Sequence, residues 1–208
     1  MKVAVIGGTG AMGRAIARHL AKENEVIIGS RDASRAREAA AGIRGAGWGD
    51  YQTAAKQADA TVFAIPYSAI GYAKGLAGEL SGKLVISMIN PLDYQGGVFR
   101  LSNKEGSAAE ELKGLLAGSR VATAFNNVPA GYLTADVVPP VDILVAADSK
   151  ETYEAAANVV RGIREMRPLY AGPLDQARVV ESVTALVLNL AKLNGTGALA
   201  TRFVTRKG

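Results

Sequence analysis

Gly8, Gly10 and Gly13 are spaced as G-x-G-x-x-G, and they stand where an apolar run, residues 3–6, gives way to helical sequence. Each glycine has its own physical reason. The first allows a tight turn, the second lets backbone approach a pyrophosphate, and the third lets helix and strand pack closely. Amides at the start of the next helix face the anion, where the helix dipole favours negative charge. A merely structural turn is the alternative. The setting between strand and helix, close to the N-terminus, favours a dinucleotide site.

The second strand, Glu25–Gly29, should end where the adenosine ribose lies. An NAD site usually places an acidic residue there. Here the chain reads Gly29-Ser30-Arg31, and Asp32 comes one position late. Ser30 offers a hydroxyl, Arg31 a planar fork, and Arg35 lies one helical turn on, a set that suits a 2′-phosphate and hence NADP. In the blander alternative Asp32 caps the next helix and both arginines are solvated. Further strand ends supply more candidates. Ile65, Pro66 and Tyr67 would wall the cofactor. Ile89 and Asn90 follow, where the Asn90 amide could bond a nicotinamide carboxamide or simply start the turn at Pro91. The run Asn126-Asn127-Val128-Pro129-Ala130 would form the second wall. Trp48, the only tryptophan, falls in a glycine loop and could stack on a planar substrate or plug the edge of the core.

The elements that must position these residues alternate along the chain. Helices are expected over 12–22, 33–43, 50–58, 68–80, 107–116, 150–164 and up to 193. Strands are expected at 3–6, 25–29, 60–65, 84–88, 120–125 and 143–147, with continuous apolar runs that suit a sheet covered on both faces. This is an α/β, doubly wound parallel sheet of the Rossmann dinucleotide-binding type with a small C-terminal helical extension. Residues 1–148 would be the NADP-binding domain and 149–208 a part that completes the substrate site. Residues 90–107, with few regular signals, would be a lid over the substrate. Ser107 and Glu110 form a capping box. The last helix has a polar face (Arg178, Glu181, Ser182, Asn189, Lys192) and a wide apolar one, expected to pack on the domain and on a second subunit.

Composition narrows the chemistry. The chain has 208 residues, 49% hydrophobic and 21% charged, a net charge of +5 and no cysteine. Disulfides, thiol nucleophiles and cysteine-bound metals are excluded, and a cytoplasmic protein fits. The single histidine, His19, reads as a helix-surface residue, so no metal site is expected. Basic residues are dispersed apart from Arg202, Arg206 and Lys207, and aromatics are 6%. Nucleic-acid binding is not expected. Neither is a signal peptide or a membrane span, because the longest apolar-rich stretch carries four charges.

Taken together, Gly7-Gly8-Thr9-Gly10-Ala11-Met12-Gly13, Gly29-Ser30-Arg31 and a C-terminal block make the chain resemble the F420:NADP oxidoreductases, NADPH-dependent reductases of the deazaflavin coenzyme F420. The block is Arg167-Pro-Leu-Tyr-Ala-Gly-Pro-Leu174, Arg178-Val-Val-Glu-Ser-Val-Thr184, Leu188-Asn189 and Asn194-Gly-Thr-Gly197. The resemblance implies that Thr9, Gly10, Ala11 and Met12 hold the pyrophosphate, and that Ser30, Arg31 and Arg35 hold the 2′-phosphate. It also implies that Asn126 to Ala130 lie where deazaflavin stacks on nicotinamide. Hydride transfer between two rings held roughly 3–3.5 Å apart needs no protein acid, base or nucleophile. One residue departs from the family pattern: Asn126 stands where family members carry His. This keeps a second reading open, NADPH-dependent reduction of a flavin (FMN or FAD) or, through it, of ferric iron. A third is a module that binds NADP(H) and transfers nothing.

Overall fold

In the computed structural model, which describes residues 1–103, 105–134 and 139–204, the alternating pattern becomes one eight-stranded sheet with helices on both faces. The first half contains β1 (Lys2–Ile6), α1 (Ala11–Leu20), β2 (Glu25–Gly29), α2 (Ala33–Ala41), β3 (Gly47–Gly49), α3 (Tyr51–Gln57) and β4 (Ala60–Phe63). A 3-10 stretch, Tyr67–Leu76, then leads into α4 (Ala77–Leu80) and β5 (Leu84–Ser87). The rest contains β6 (Leu92–Gln95), β7 (Val98–Leu101), α5 (Ala108–Leu115), β8 (Arg120–Thr123), α6 (Ala130–Leu133), β9 (Val141–Ala147), α7 (Lys150–Arg161), β10 (Met166–Gly172) and α8 (Ala177–Leu193).

The sheet order is β10-β9-β8-β5-β4-β1-β2-β3. Strands β1 to β5 and β8 run parallel, whereas β9 pairs antiparallel with β8 and β10 runs parallel to β9. Period-2 alternation of apolar side chains supplies both cores. Val3 and Val5 face α1, α2 and α7 on one side, and Ala4 and Ile6 face α3, α5 and the 3-10 stretch on the other. Successive crossovers change face between β1 and β4. In open sheets of this kind ligands bind in the crevice at that point, outside the carboxyl ends of the strands.

Several elements differ from the sequence reading. The glycine loop at 45–49 contains the edge strand β3. The helix expected over 68–80 is mostly 3-10, since Gly71, Gly75 and Gly78 weaken an α-helix there. Residues 90–107 are not a structureless lid. Gly96 and Gly97 both take positive φ (60° and 87°), which closes the two-residue hairpin β6–β7. That hairpin is fixed to α8, because Asn189 accepts from the Phe99 amide at 2.7 Å and donates to the Phe99 carbonyl at 2.9 Å. Residues 166–172 form a sheet edge, where Pro168 is tolerated despite its missing N–H. The part beyond residue 148 therefore adds an edge strand to the same sheet as well as the helices α7 and α8. Arg206 and Lys207 lie outside the described residues.

Candidate active site

The glycine loop joins β1 to α1, and its packing assigns each glycine. A Cβ on Gly13 would lie 2.4 Å from the Gly7 carbonyl oxygen and 2.8 Å from the Gly8 Cα, so this glycine sets the distance between helix and strand. A Cβ on Gly8 would meet the Val5 oxygen at 2.9 Å. Gly10 is different: it is exposed, and its nearest neighbour would be at 3.5 Å, so its open side faces the crevice. Gly7, outside the motif, has φ +85° and fits against the Ala64 carbonyl at the end of β4, a role the motif did not reveal. The Gly8 and Gly10 amides are engaged by the Val5 and Gly7 carbonyls at 3.1 and 3.0 Å. No side chain caps α1, which leaves its first-turn amides, those of Ala11 and Met12 among them, open to an anion. The Met12 side chain itself packs on the core.

One cleft of about 460 Å³ brings together Gly7, Thr9, Gly10, Ser30, Arg31, Arg35, Ile65 and Pro66. Sequence reasoning named all of these except Gly7. Ser30 is buried, with its Oγ accepting from the Asp32 amide at 3.3 Å and its proton still free to donate. Asp32 caps α2: its carboxylate accepts from the Ser34 hydroxyl (2.6 Å) and amide (2.8 Å), and the hydroxyl bond leads in holding it below the usual carboxylate range. The cap and the cationic pair thus coexist, and Asp32 lines the same cleft with its Oδ1 engaged by α2. The Arg31 guanidinium lies over the Tyr72 ring, 5.4 Å from its centroid, and Tyr51 contacts Tyr72 edge-on at 6.4 Å. Neither tyrosine carried a signal in the sequence.

The residues named from the other strand ends divide. Asn90 and Asn126 meet at the carboxyl ends of β5 and β8, whereas Pro129 and Ala130 open α6. At the strand ends the Asn126 amide is already used, donating to the Ile89 carbonyl (3.2 Å) and Asn90 Oδ1 (3.1 Å) and accepting from the Thr123 hydroxyl (2.6 Å). It is 2% exposed, a clamp between strands and not a hand held out to a ligand. Its being Asn therefore carries no preference for a flavin over a deazaflavin. Ile89 contributes that carbonyl, while its side chain lies in the core.

Three candidates are placed elsewhere. Asn127 is fully buried and bonds the Asp142 carbonyl, Thr201 and the Leu144 amide, tying β9 to the chain end. Val128 is a core residue because the turn after Phe125 directs it inward. Trp48 is on the outer edge strand, 47% exposed, beneath Arg37 and beside α2, away from the crevice. Tyr67 follows the crevice wall, but its hydroxyl donates to Glu111 at 2.8 Å. His19, half-buried, pairs with the Leu133 carbonyl at 2.9 Å and fastens α1 to α6. Among the described residues no His, Asp or Glu cluster has the form of a metal site.

Residues 2–91 match the family model described as NADP oxidoreductase, coenzyme F420-dependent. The chain is 35% identical to the F420-dependent NADP reductase of Methanocaldococcus jannaschii, over 95% of this chain and 96% of that one. It is 38% identical to the F420-dependent NADP reductase of Methanothermobacter thermautotrophicus, over 91% and 89%. A crystal structure from Arthrobacter sp. FB24, of a proposed F420-dependent NADP-reductase, superposes with a TM-score of 0.86 over 99% of this chain and 100% of that one, at 22% identity. That likeness shows the shared fold, and the two sequence relationships carry the assignment: the chain belongs to the F420-dependent NADP reductase family.

Proposed function

We propose that this protein is an oxidoreductase that transfers a hydride between NADP(H) and coenzyme F420. The observation that carries the reading is the convergence of a family-wide sequence match with one crevice that has anion-facing amides at one end and Ser30, Arg31 and Arg35 at the other. The donor set fits NADP(H): α1 amides for the pyrophosphate, and a hydroxyl with two guanidinium groups for the 2′-phosphate. Nicotinamide C4 supplies the hydride to deazaflavin C5, and the accompanying proton comes from solvent, so NADPH, F420 and a proton give NADP⁺ and reduced F420. The protein's own part is to bind and orient. Ile65 and Pro66 wall the crevice after β4, and Asn90, Asn126, Pro129 and Ala130 bound its acceptor side. None of these is an acid or a base.

Mixing the protein with NADPH and, in turn, F420, FMN and FAD tests this. Bleaching of the deazaflavin band with F420 is the expected result. Turnover with flavins alone refutes it, and so does tight NADPH binding without any oxidation. For the cofactor, NADPH should bind more tightly than NADH, and Arg31→Ala should remove most of that difference. No helix among the described residues is long and apolar enough to cross a membrane, and a cytoplasmic location is part of the proposal. So is a homodimer, supported by Val179, Leu186, Leu190 and Leu193, which form one exposed apolar stripe along α8.

A further inference from the structure

Helix α8 turns four polar side chains inward, each to a different part of the domain. Arg178 donates to the Gly106 and Asn103 carbonyls at 2.7 and 3.2 Å. Glu181, with no exposed surface, accepts from the Ala108 and Ala109 amides at 3.0 and 3.1 Å, the first turn of α5. The Thr184 hydroxyl lies 2.6 Å from the Asn126 carbonyl oxygen and 3.1 Å from Asn90 Oδ1. Asn189 holds the β6–β7 hairpin. Arg178, Glu181 and Thr184 are three residues apart and so lie along one ridge of the helix. They also fall within the C-terminal block that marks the family resemblance.

The target of Thr184 is an unusual piece of backbone. Phe125, buried at the end of β8, has φ +65°, a conformation that an aromatic residue holds only when its surroundings over-determine it. What holds it is the next residue: the Asn126 side chain is fixed by three bonds and its carbonyl by Thr184. The turn at 125–126 thereby stays against Asn90, at the carboxyl ends of β5 and β8. An apolar ridge on α8 would bury at less cost than Glu181, but apolar contacts are non-directional and would not fix how far the helix slides along α5.

We propose that Glu181 and Thr184 are a positioning pair for the acceptor half of the reaction. Glu181 sets the register of α8 on α5, and Thr184 uses that register to lock the Phe125–Asn126 turn beside Asn90. This rests on the reading of F420 as acceptor. Neither residue lines the cleft of Ser30, Arg31 and Arg35 that is read as the NADP(H) site. The pair therefore separates the two substrates kinetically.

The test compares wild type with Thr184→Val, which removes the hydroxyl at constant shape, and Thr184→Ser, which keeps it. NADPH Kd is measured by fluorescence, and kcat and KM are measured with F420 varied. Thr184→Val should lower kcat/KM for F420 about tenfold with NADPH Kd changed by less than about twofold, and Thr184→Ser should restore most of the loss. Glu181→Gln should shift the same F420 parameter in the same direction. Unchanged F420 kinetics in Thr184→Val overturn the proposal. Equal loss of NADPH and F420 affinity, the mark of general weakening, overturns it too. A wild type that reduces FMN and not F420 overturns the functional reading instead, and the same variants are then read against FMN.

Discussion

The glycine loop offers a paired test, because Gly10 and Gly13 are constrained from opposite sides. An alanine at 13 would bring its Cβ to 2.4 Å from the Gly7 oxygen, where real Cβ contacts stop near 3.0 Å. The start of α1 must then withdraw by at least 0.6 Å, the difference of those two distances. Both neighbours it meets are backbone, so no rotamer relieves the clash. Overpacking of this kind costs roughly 1–3 kcal/mol. At roughly 2–4 °C per kcal/mol for a chain of this size, Gly13→Ala should melt about 2–12 °C below wild type. The same withdrawal moves the first-turn amides off the pyrophosphate, and NADPH Kd should rise at least about tenfold. An alanine at 10 meets nothing closer than 3.5 Å within the protein. Its methyl projects to the ligand side, so Gly10→Ala should weaken NADPH while the melting temperature of the free protein stays put. Differential scanning fluorimetry and a fluorescence titration read both quantities. Wild-type affinity in Gly10→Ala, or wild-type melting in Gly13→Ala, refutes this account of the loop.

Asp142 is buried on β9, takes a bidentate pair from Arg167 (2.7 and 2.8 Å) and accepts from the Phe203 amide at 2.6 Å; the Arg167 bonds lead in pulling its carboxyl below the usual range. Its stabilisation is present above the unfolded value of about 4 and is lost as pH falls through the depressed folded value. Asp142→Asn should therefore cost about 2 kcal/mol at neutral pH, with the melting gap to wild type closing in acid. Glu181 has the opposite sign: burial raises its carboxyl to about 7, so its contribution is full below the unfolded value of about 4.3 and is lost as pH rises through the folded one. The melting temperature of Glu181→Gln relative to wild type should accordingly climb between pH 5 and 8, as followed by scanning fluorimetry across that range. Trp48→Ala should leave the kinetics with NADPH and F420 unchanged and stability within about 0.5 kcal/mol, because the indole lies on an exposed edge away from the crevice.

The parallel half of the sheet was legible because its strands are buried on both faces and read as unbroken apolar runs, such as residues 3–6 and Val26-Ile27-Ile28. The cleft at the strand ends was legible for a related reason. Ligands in such sheets sit outside the carboxyl ends of the strands, so Ser30, Arg31, Ile65 and Pro66, which line it, could be named by position alone. The edges were harder. In and just after β10, Pro168, Gly172 and Pro173 have the composition of a turn, and only the edge position reconciles Pro168 with pairing. In the hairpin, β6 is mostly exposed, so its period-2 signal is weak and the Gly96-Gly97 turn was the one cue available. Amides were the least legible. Asn90, Asn126 and Asn127 look alike in sequence, yet their directions depend on partners as remote as Thr184 and Thr201. A local pattern cannot encode that choice.

The central claim is direct hydride transfer between NADPH and F420 in one crevice, without a protein acid or base. The most direct measurement is single-turnover reduction of F420 by NADPH deuterated at the transferable C4 position, with the product examined by mass spectrometry and NMR. The account predicts deuterium at C5 of reduced F420, retained in ordinary water. Label lost to solvent, or no reduction of F420 while a flavin is reduced, would contradict it.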